Sequence, residues 1–415
     1  MIWSIQNLAE KATYFFLILF GVLLPYDMLY ATLAVYPILF FSLISFRKEK
    51  LKQIPKYWWV FTLIFLLNVI GYFYTADTHR ASYLLERQLI IFLFPLILPL
   101  AVNVNNKKNN LLFISFTLSC LAAILFLLYP NFLFLQSNHW SLKVLSLPHL
   151  YNHSFTQPLG IHATYLSLYT AMCIIFLIDC IPRVTFIQKL PLFLALIILL
   201  IGLYFMASRN TMLALLFIGL FVYPLFRLRN KFGYFLISIL LVGGLLFTVN
   251  QNHYIFNRFS IDLVDDLKPD NHYTIENPEP RILRWKCAVD LIKEKPILGF
   301  GAGDEIPLLM KLYKERGMTV SYKEEFNTHN QYLAILIKNG IIGLIVFLSM
   351  MFYFFRLAIQ SKNFMYLSFL ILITIGFITE NIIDANKGIF FFAFFNTLLG
   401  YQIINEKKKK LITNQ

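Results

Sequence analysis

The sequence predicts an all-α polytopic membrane protein of about 12 transmembrane helices, with one large, partly helical loop on the outer face. Three observations carry this reading. Of 415 residues, 58% are hydrophobic and only 14% are charged, with a mean hydropathy of +0.65; a soluble chain of this size needs more polar surface. Apolar runs recur at the length that a bilayer demands, ~20 residues across a ~30 Å core. Helices satisfy their own backbone groups in lipid, so a helical bundle is the expected solution. The 43 phenylalanines suit lipid-facing and helix-packing surfaces.

The runs fall at 13–29, 31–46, 57–74, 88–103, 111–130, 163–180, 190–207, 211–226, 233–250, 331–355, 364–379 and 388–404. The first starts near Ala12 without a basic lead-in or a small-residue cleavage site, so it reads as a retained helix. With the N-terminus inside, 19 Lys and Arg fall in inner segments and five in the short outer loops and helix ends. Both termini are therefore expected in the cytoplasm. The net charge of +14 follows from this distribution, without nucleic acid as a partner. The tail "KKKK" at 407–410 reads as a topology anchor at the anionic inner leaflet. The expected organisation is nine helices in 1–250, an outer loop subdomain in 251–330, and three helices with a basic tail in 331–415.

A loop of that length without a role would be unusual. It carries helical signals in "NPEPRILRWKCAVDLIKEKP" and in "DEIPLLMKLYKERG", which Gly317 closes. Between them, "LGFGAG" at 298–303 is a turn that needs glycine. The loop is thus expected to fold as a small cap. Cys120, Cys173, Cys180 and Cys287 form neither a disulfide framework nor a zinc pattern. The acidic "DLVDD" at 262–266 reads as solvated loop, and no metal site is expected. Motifs for ATP-driven or nicotinamide chemistry are absent.

The outer face collects cations. Arg209 sits in "MASRNTML", a tight turn between the seventh and eighth runs, and Arg87 opens the fourth. Arg281 and Arg284, spaced i, i+3, share one side of a helix. Several arginines at bilayer depth suit a lipid phosphate or diphosphate, because guanidinium grips phosphate oxygens in a bidentate fork. The plainer alternative is interfacial snorkelling, and for Arg87 neutralisation by Glu86. His329, where "EEFNT" gives way to an apolar run, is the candidate for proton transfer, since histidine is the residue type suited to a general base near neutrality; its plainer alternative is a histidine that simply opens a helix. Asn330 and Tyr332 follow it, with Tyr332 expected on the same helical face, and His162 opens the sixth run. Glu380 could pair with Lys387 or orient a cation. The interruption of an apolar run by Lys338 and Asn339 is tolerable if the span begins near Gly340.

Several segments, in order, resemble the O-antigen ligase and polymerase superfamily of bacterial inner-membrane glycosyltransferases. They are "LLERQLIIFLFPL", "IHATYLSLY", "SRN" at 208–210, Arg284 and Trp285 through "KPILGFGAG", "THNQYLAILIKNGIIGL", and "TENIIDANKGIFFFAFFN". The set runs from Leu84 to Asn396. The resemblance implies an inner-membrane enzyme with a periplasmic site that moves a glycan from undecaprenyl diphosphate to an acceptor hydroxyl. The acceptor would be a lipid A core sugar in a ligase and a second lipid-linked repeat in a polymerase. It further implies inversion at the anomeric carbon, no cofactor and no metal, and functional roles for the motif arginines and histidine. Protein O-glycosylation and lipid-linked glycan transport are the remaining alternatives. A transporter would place its ionisable residues at the midplane.

Overall fold

The computed structural model describes residues 2–46, 59–102, 105–227, 252–260 and 279–413. The described residues form helices and turns, without strands. In chain order the main helices are α1 (Ile2–Leu23), α2 (Met28–Ile44), α3 (Trp59–Tyr72), α4 (Thr78–Ala101), α5 (Asn106–Ser137), α6 (Ala163–Cys180) and α7 (Phe186–Met206). Next come α8 (Arg209–Phe217, continuing through a π-helical turn to Arg227), α9 (His253–Phe259), α10 (Arg281–Glu294), α11 (Glu305–Glu315) and α12 (Thr319–Lys323). The last are α13 (Gln331–Gln360), α14 (Phe364–Gly376) and α15 (Asn386–Thr413).

Eleven predicted runs find a helix; the run at 233–250 and the "DLVDD" cluster lie outside the described residues. Seven of the helices are long and apolar enough to cross a membrane, and α2, α3 and α14 are apolar but shorter. Seven spans among the described residues thus stand beside the expected twelve. α4 starts ten residues before its apolar run, with Asp77 accepting from the Arg80 N–H at its N-terminus. Its first turns are polar, which hydropathy alone misses.

Burial varies across the bundle. In their most apolar stretches α15 is 83% buried and α6 72%, whereas α7 is 17% buried. The centre is aromatic: Phe116, Tyr169, Phe369, Phe391 and Phe395 interlock at ring separations of 4.9–6.4 Å. On α7, Phe186, Ile187, Leu190 and Leu194 point outward, the apolar exterior that a lipid-facing helix presents.

α13 is broken at Gly340, where φ is 61° and ψ −162°. A break frees two helical donors and two acceptors, which lipid cannot satisfy. Here the segment 296–301 supplies the partners. The Phe300 and Gly301 N–H groups donate to the Ile337 and Lys338 carbonyls at 2.8 and 2.9 Å. The Ile341 and Ile342 N–H groups donate to the Pro296 and Ile297 carbonyls at 2.8 and 3.4 Å. Gly299 and Gly301 have φ of 70° and 116°, a conformation open to glycine. The same turn docks on the link between α3 and α4: the Ala76 and Asp77 N–H groups donate to the Asp304 carboxylate at 2.9 and 2.8 Å. A small core of Cys287, Leu291, Phe300, Leu309 and Tyr313 joins α10 and α11 to Ile337 of α13. The cap therefore packs on the bundle through α13.

Gly340→Ala would bring a Cβ to 2.2 Å from the Ile297 carbonyl oxygen at positive φ. It should cost about 2–5 kcal/mol from backbone strain plus overpacking. Gly317 has φ of 67° but open space around it, so Gly317→Ala should cost only about 1–2 kcal/mol. Denaturation of both variants in detergent checks this, and equal losses would contradict the interlock.

Candidate active site beneath the loop

The segment that carries His329 is held on both sides of it. The Thr328 hydroxyl bonds Glu305 and Asn381 at 3.1 Å each, and the Trp285 indole donates to the Thr328 carbonyl at 3.0 Å. Asn330 caps α13, its side chain accepting from the Tyr332 and Leu333 N–H groups at 3.0 and 3.1 Å. Its own N–H donates to Asn381 at 2.8 Å. His329 itself stands at φ 45°, with its N–H on the Asn327 side-chain oxygen at 2.8 Å. A non-glycine residue there carries strain of about 1–3 kcal/mol, a cost that anchored neighbours must offset.

The imidazole Nδ1 lies 3.3 Å from Glu380 Oε2, and the Arg281 guanidinium is 3.9 Å from the other Glu380 oxygen. Glu380 is 5% exposed. Burial would raise its pKa, but the His329 hydrogen bond, with the charges of His329, His162 and Arg281, outweighs burial and holds the carboxyl down to about 2. A carboxylate on Nδ1 fixes a neutral histidine with its proton there, which leaves Nε2 as the acceptor. His162 caps α6, its Nδ1 accepting from the Thr164 N–H at 3.4 Å. Its ring centre is 4.0 Å from that of His153. Burial pushes His162 down to about 4, and His153 adds to the effect. Burial, then Arg258, also lowers His153.

The structure brings together His329, Glu380, Arg281 and His162. Arg209 begins α8, and its neighbour Asn210 hydrogen-bonds Thr379, which precedes Glu380. Three other candidates are placed differently. Arg284 is 6% exposed and stacks over Phe326, at 4.9 Å, whose ring meets His329 edge-on. Tyr332 does not share a helical face with His329, because the helix starts only at Gln331; its ring packs on Phe347 and Phe377 and its hydroxyl donates to the Thr374 carbonyl. Arg87 donates to the Asp384 carbonyl at 3.3 Å and lines a cavity whose lining includes none of His329, Glu380 and Arg281. Lys387 donates to the Gly160 carbonyl at 3.0 Å, so the Glu380–Lys387 pairing does not form.

Sequence reasoning passed over His153, and over a buried ionic group behind the site. Lys338 lies 2.6 Å from Asp384 and 3.6 Å from Glu305. Gln331 and Gln88 also donate to Asp384, at 3.1 and 3.3 Å. A lysine within an apolar run was the available signal, since such a charge needs a buried partner. The four cysteines are free, and no group of His, Cys, Asp and Glu among the described residues is arranged to hold a metal.

A helical membrane bundle with a histidine–carboxylate–arginine group under a docked loop defines a membrane protein with an enzyme-like polar site. The O-antigen ligase family model matches residues 194–348, less than half of the chain, so that stretch is similar to the O-antigen ligase family. Arg209, Arg281, Arg284 and His329 fall within the matched residues; Arg87, His162 and Glu380 fall outside them. A protein of Haemophilus influenzae described as uncharacterized is 29% identical over 144 residues, 33% of this chain and 35% of its own length. The chain thus spans about a third of that relative.

Because His162 is depressed to about 4, the unfolded chain binds a proton below pH ~6.5 that the folded chain refuses until pH falls through about 4. Stability should therefore rise with pH between about 4 and 6.5. His162→Gln should flatten that slope in melting curves recorded across this window. An unchanged slope would remove His162 as its source.

Proposed function

We propose that the protein transfers a glycan from undecaprenyl diphosphate to an acceptor hydroxyl at the periplasmic face of the bacterial inner membrane. The observation that carries this reading is the His329–Glu380–Arg281 group, within a chain whose family match encloses His329 and Arg281. His329 Nε2 accepts the proton of the acceptor hydroxyl. The freed oxygen electron pair attacks the anomeric carbon as its bond to the diphosphate oxygen breaks. The diphosphate leaves with that electron pair, so one glycosidic bond replaces another and the configuration inverts. Glu380 acts through His329, holding the tautomer and stabilising the imidazolium that forms, as carboxylates do in other histidine-based sites. Arg209 and Arg281 stabilise the charge that grows on the leaving diphosphate. Arg284 serves as a positioning residue through Phe326. The docked loop keeps out water that would hydrolyse the donor.

The reading favours a ligase, with a lipid A core sugar as acceptor, and a polymerase extending lipid-linked repeats is the second reading. Gene deletion separates them: loss of a ligase leaves unattached polymer on the carrier lipid, and loss of a polymerase leaves single repeats. A gradient-free proteoliposome assay tests for an enzyme, because a transporter would yield no glycosidic product there.

His329→Ala should lower transfer by about 10²–10⁴-fold, the range of general-base contributions, while the protein stays folded in the membrane. Glu380→Gln should lower the rate with the donor still bound. Arg209→Lys should impair transfer although charge is kept, because the fork is lost. Full activity of the His329 variant would end the base assignment, and full activity of the Arg209 variant the bidentate one.

A further inference from the structure

Beside the His329 segment, with Asn327 in its lining, is a cavity of about 250 Å³. It is smaller than the ~300 Å³ at which pockets for drug-sized ligands begin, and its size suits one sugar ring. One wall is the polar start of α4. Arg80, Tyr83 and Arg87, at i, i+3 and i+7, line it together with Leu84. Asn327, Asn381, Glu305, Lys338 and Asp384 complete the polar lining.

The charges in this cavity are unevenly matched. Lys338 is paired with Asp384 and Glu305. Arg80 is paired with Glu325 at 2.9 Å and Asp77 at 3.6 Å. Arg87 makes no ion pair among the described residues; it reaches only the Asp384 backbone carbonyl, at 3.3 Å. The cavity therefore offers one guanidinium that holds no carboxylate among the described residues. Around it are the Asn327 amide and the Tyr83 phenol for hydroxyls, and the apolar surfaces of Leu84, Ala302 and Ile306 for a C–H face. An anion, several hydroxyls and an apolar face on one small ring describe an acidic sugar.

We infer that this cavity binds a single acidic sugar residue of a glycan substrate, its negative group on Arg87, separately from the transfer site at His329. The inference deepens the glycosyltransferase reading and rests on it for the expectation of a glycan. Arg87 becomes a specificity determinant. Glu380 belongs to the transfer site and the adjacent Asn381 lines the sugar cavity, so different residues of one glycan would engage the two.

Saturation-transfer NMR on the full chain in nanodiscs tests this, with galacturonate and galactose as the observed probes and inorganic phosphate as a competitor that displaces them. Galacturonate should bind at least tenfold more tightly than galactose or phosphate. Arg87→Gln should erase that preference, and Tyr83→Ala should weaken both sugars. Both side chains are exposed at the start of α4, and melting curves verify that each variant is folded. His329→Ala should leave galacturonate binding intact, so the binding measurement stands whether or not that variant transfers glycan. Equal binding of galactose and galacturonate, phosphate binding as tight as galacturonate, or an unchanged preference in Arg87→Gln would each overturn the proposal.

Discussion

Breaking α13 at Gly340 leaves backbone groups that neither lipid nor the helix can satisfy, and the turn at 296–301 takes them up in four hydrogen bonds. Everything beneath the loop depends on that exchange. It fixes α10 and α11 relative to α13, because the turn joins them and its own carbonyls and amides have become part of the broken helix. It sets Asp304 on the α3–α4 link and Glu305 beside Thr328. The histidine that follows can then occupy a strained backbone conformation, since the residues before and after it are anchored independently.

The turn after α14 completes the arrangement by giving consecutive side chains different partners. Glu380 faces His329 and Arg281, while Asn381 faces Thr328, Asn330 and Glu305. A segment of this kind lets one short stretch of chain build two polar environments without two sets of helices. One is rich in histidine, with a fixed carboxylate. The other encloses a buried lysine shared by two carboxylates. Removing one partner from such a buried group leaves an uncompensated charge, a loss of about 3–5 kcal/mol; the group thus holds α13, α11 and the 382–384 turn in register. The bond from Gln88 to Asp384 extends this register to α4.

Much of the bundle was legible because hydropathy and length mark a span strongly: the run 163–180 and the helix Ala163–Cys180 agree at both ends. The two loop helices were legible from proline and glycine punctuation, and "LGFGAG" from its glycines. What composition could not convey was purpose. It marked a flexible turn, but not that the turn would mate with a broken helix elsewhere in the chain. Arg87 and Arg281 looked alike in sequence, both cations near one face, and only three-dimensional packing separates them. Tyr332 was misplaced by assuming helical geometry through His329, where Asn327 and Asn330 instead impose a turn. His153 was lost because a short histidine-bearing loop has no signal until it folds against the start of α6.

The electrostatics of the transfer site bear on how a diphosphate could be held there. His162 and His153 are depressed, so at neutral pH they add little positive charge, while Glu380 remains an anion. A pair of phosphates entering this region must therefore find its cations in arginine. Arg281 stands 3.9 Å from Glu380, longer than a charge-assisted hydrogen bond at ~2.8 Å. On the glycosyltransferase reading, Arg281 exchanges Glu380 for a phosphate of the donor. That exchange would leave Glu380 more fully to His329, strengthening the base as the leaving group is stabilised. Arrival of the donor and activation of the acceptor would then be linked through one carboxylate.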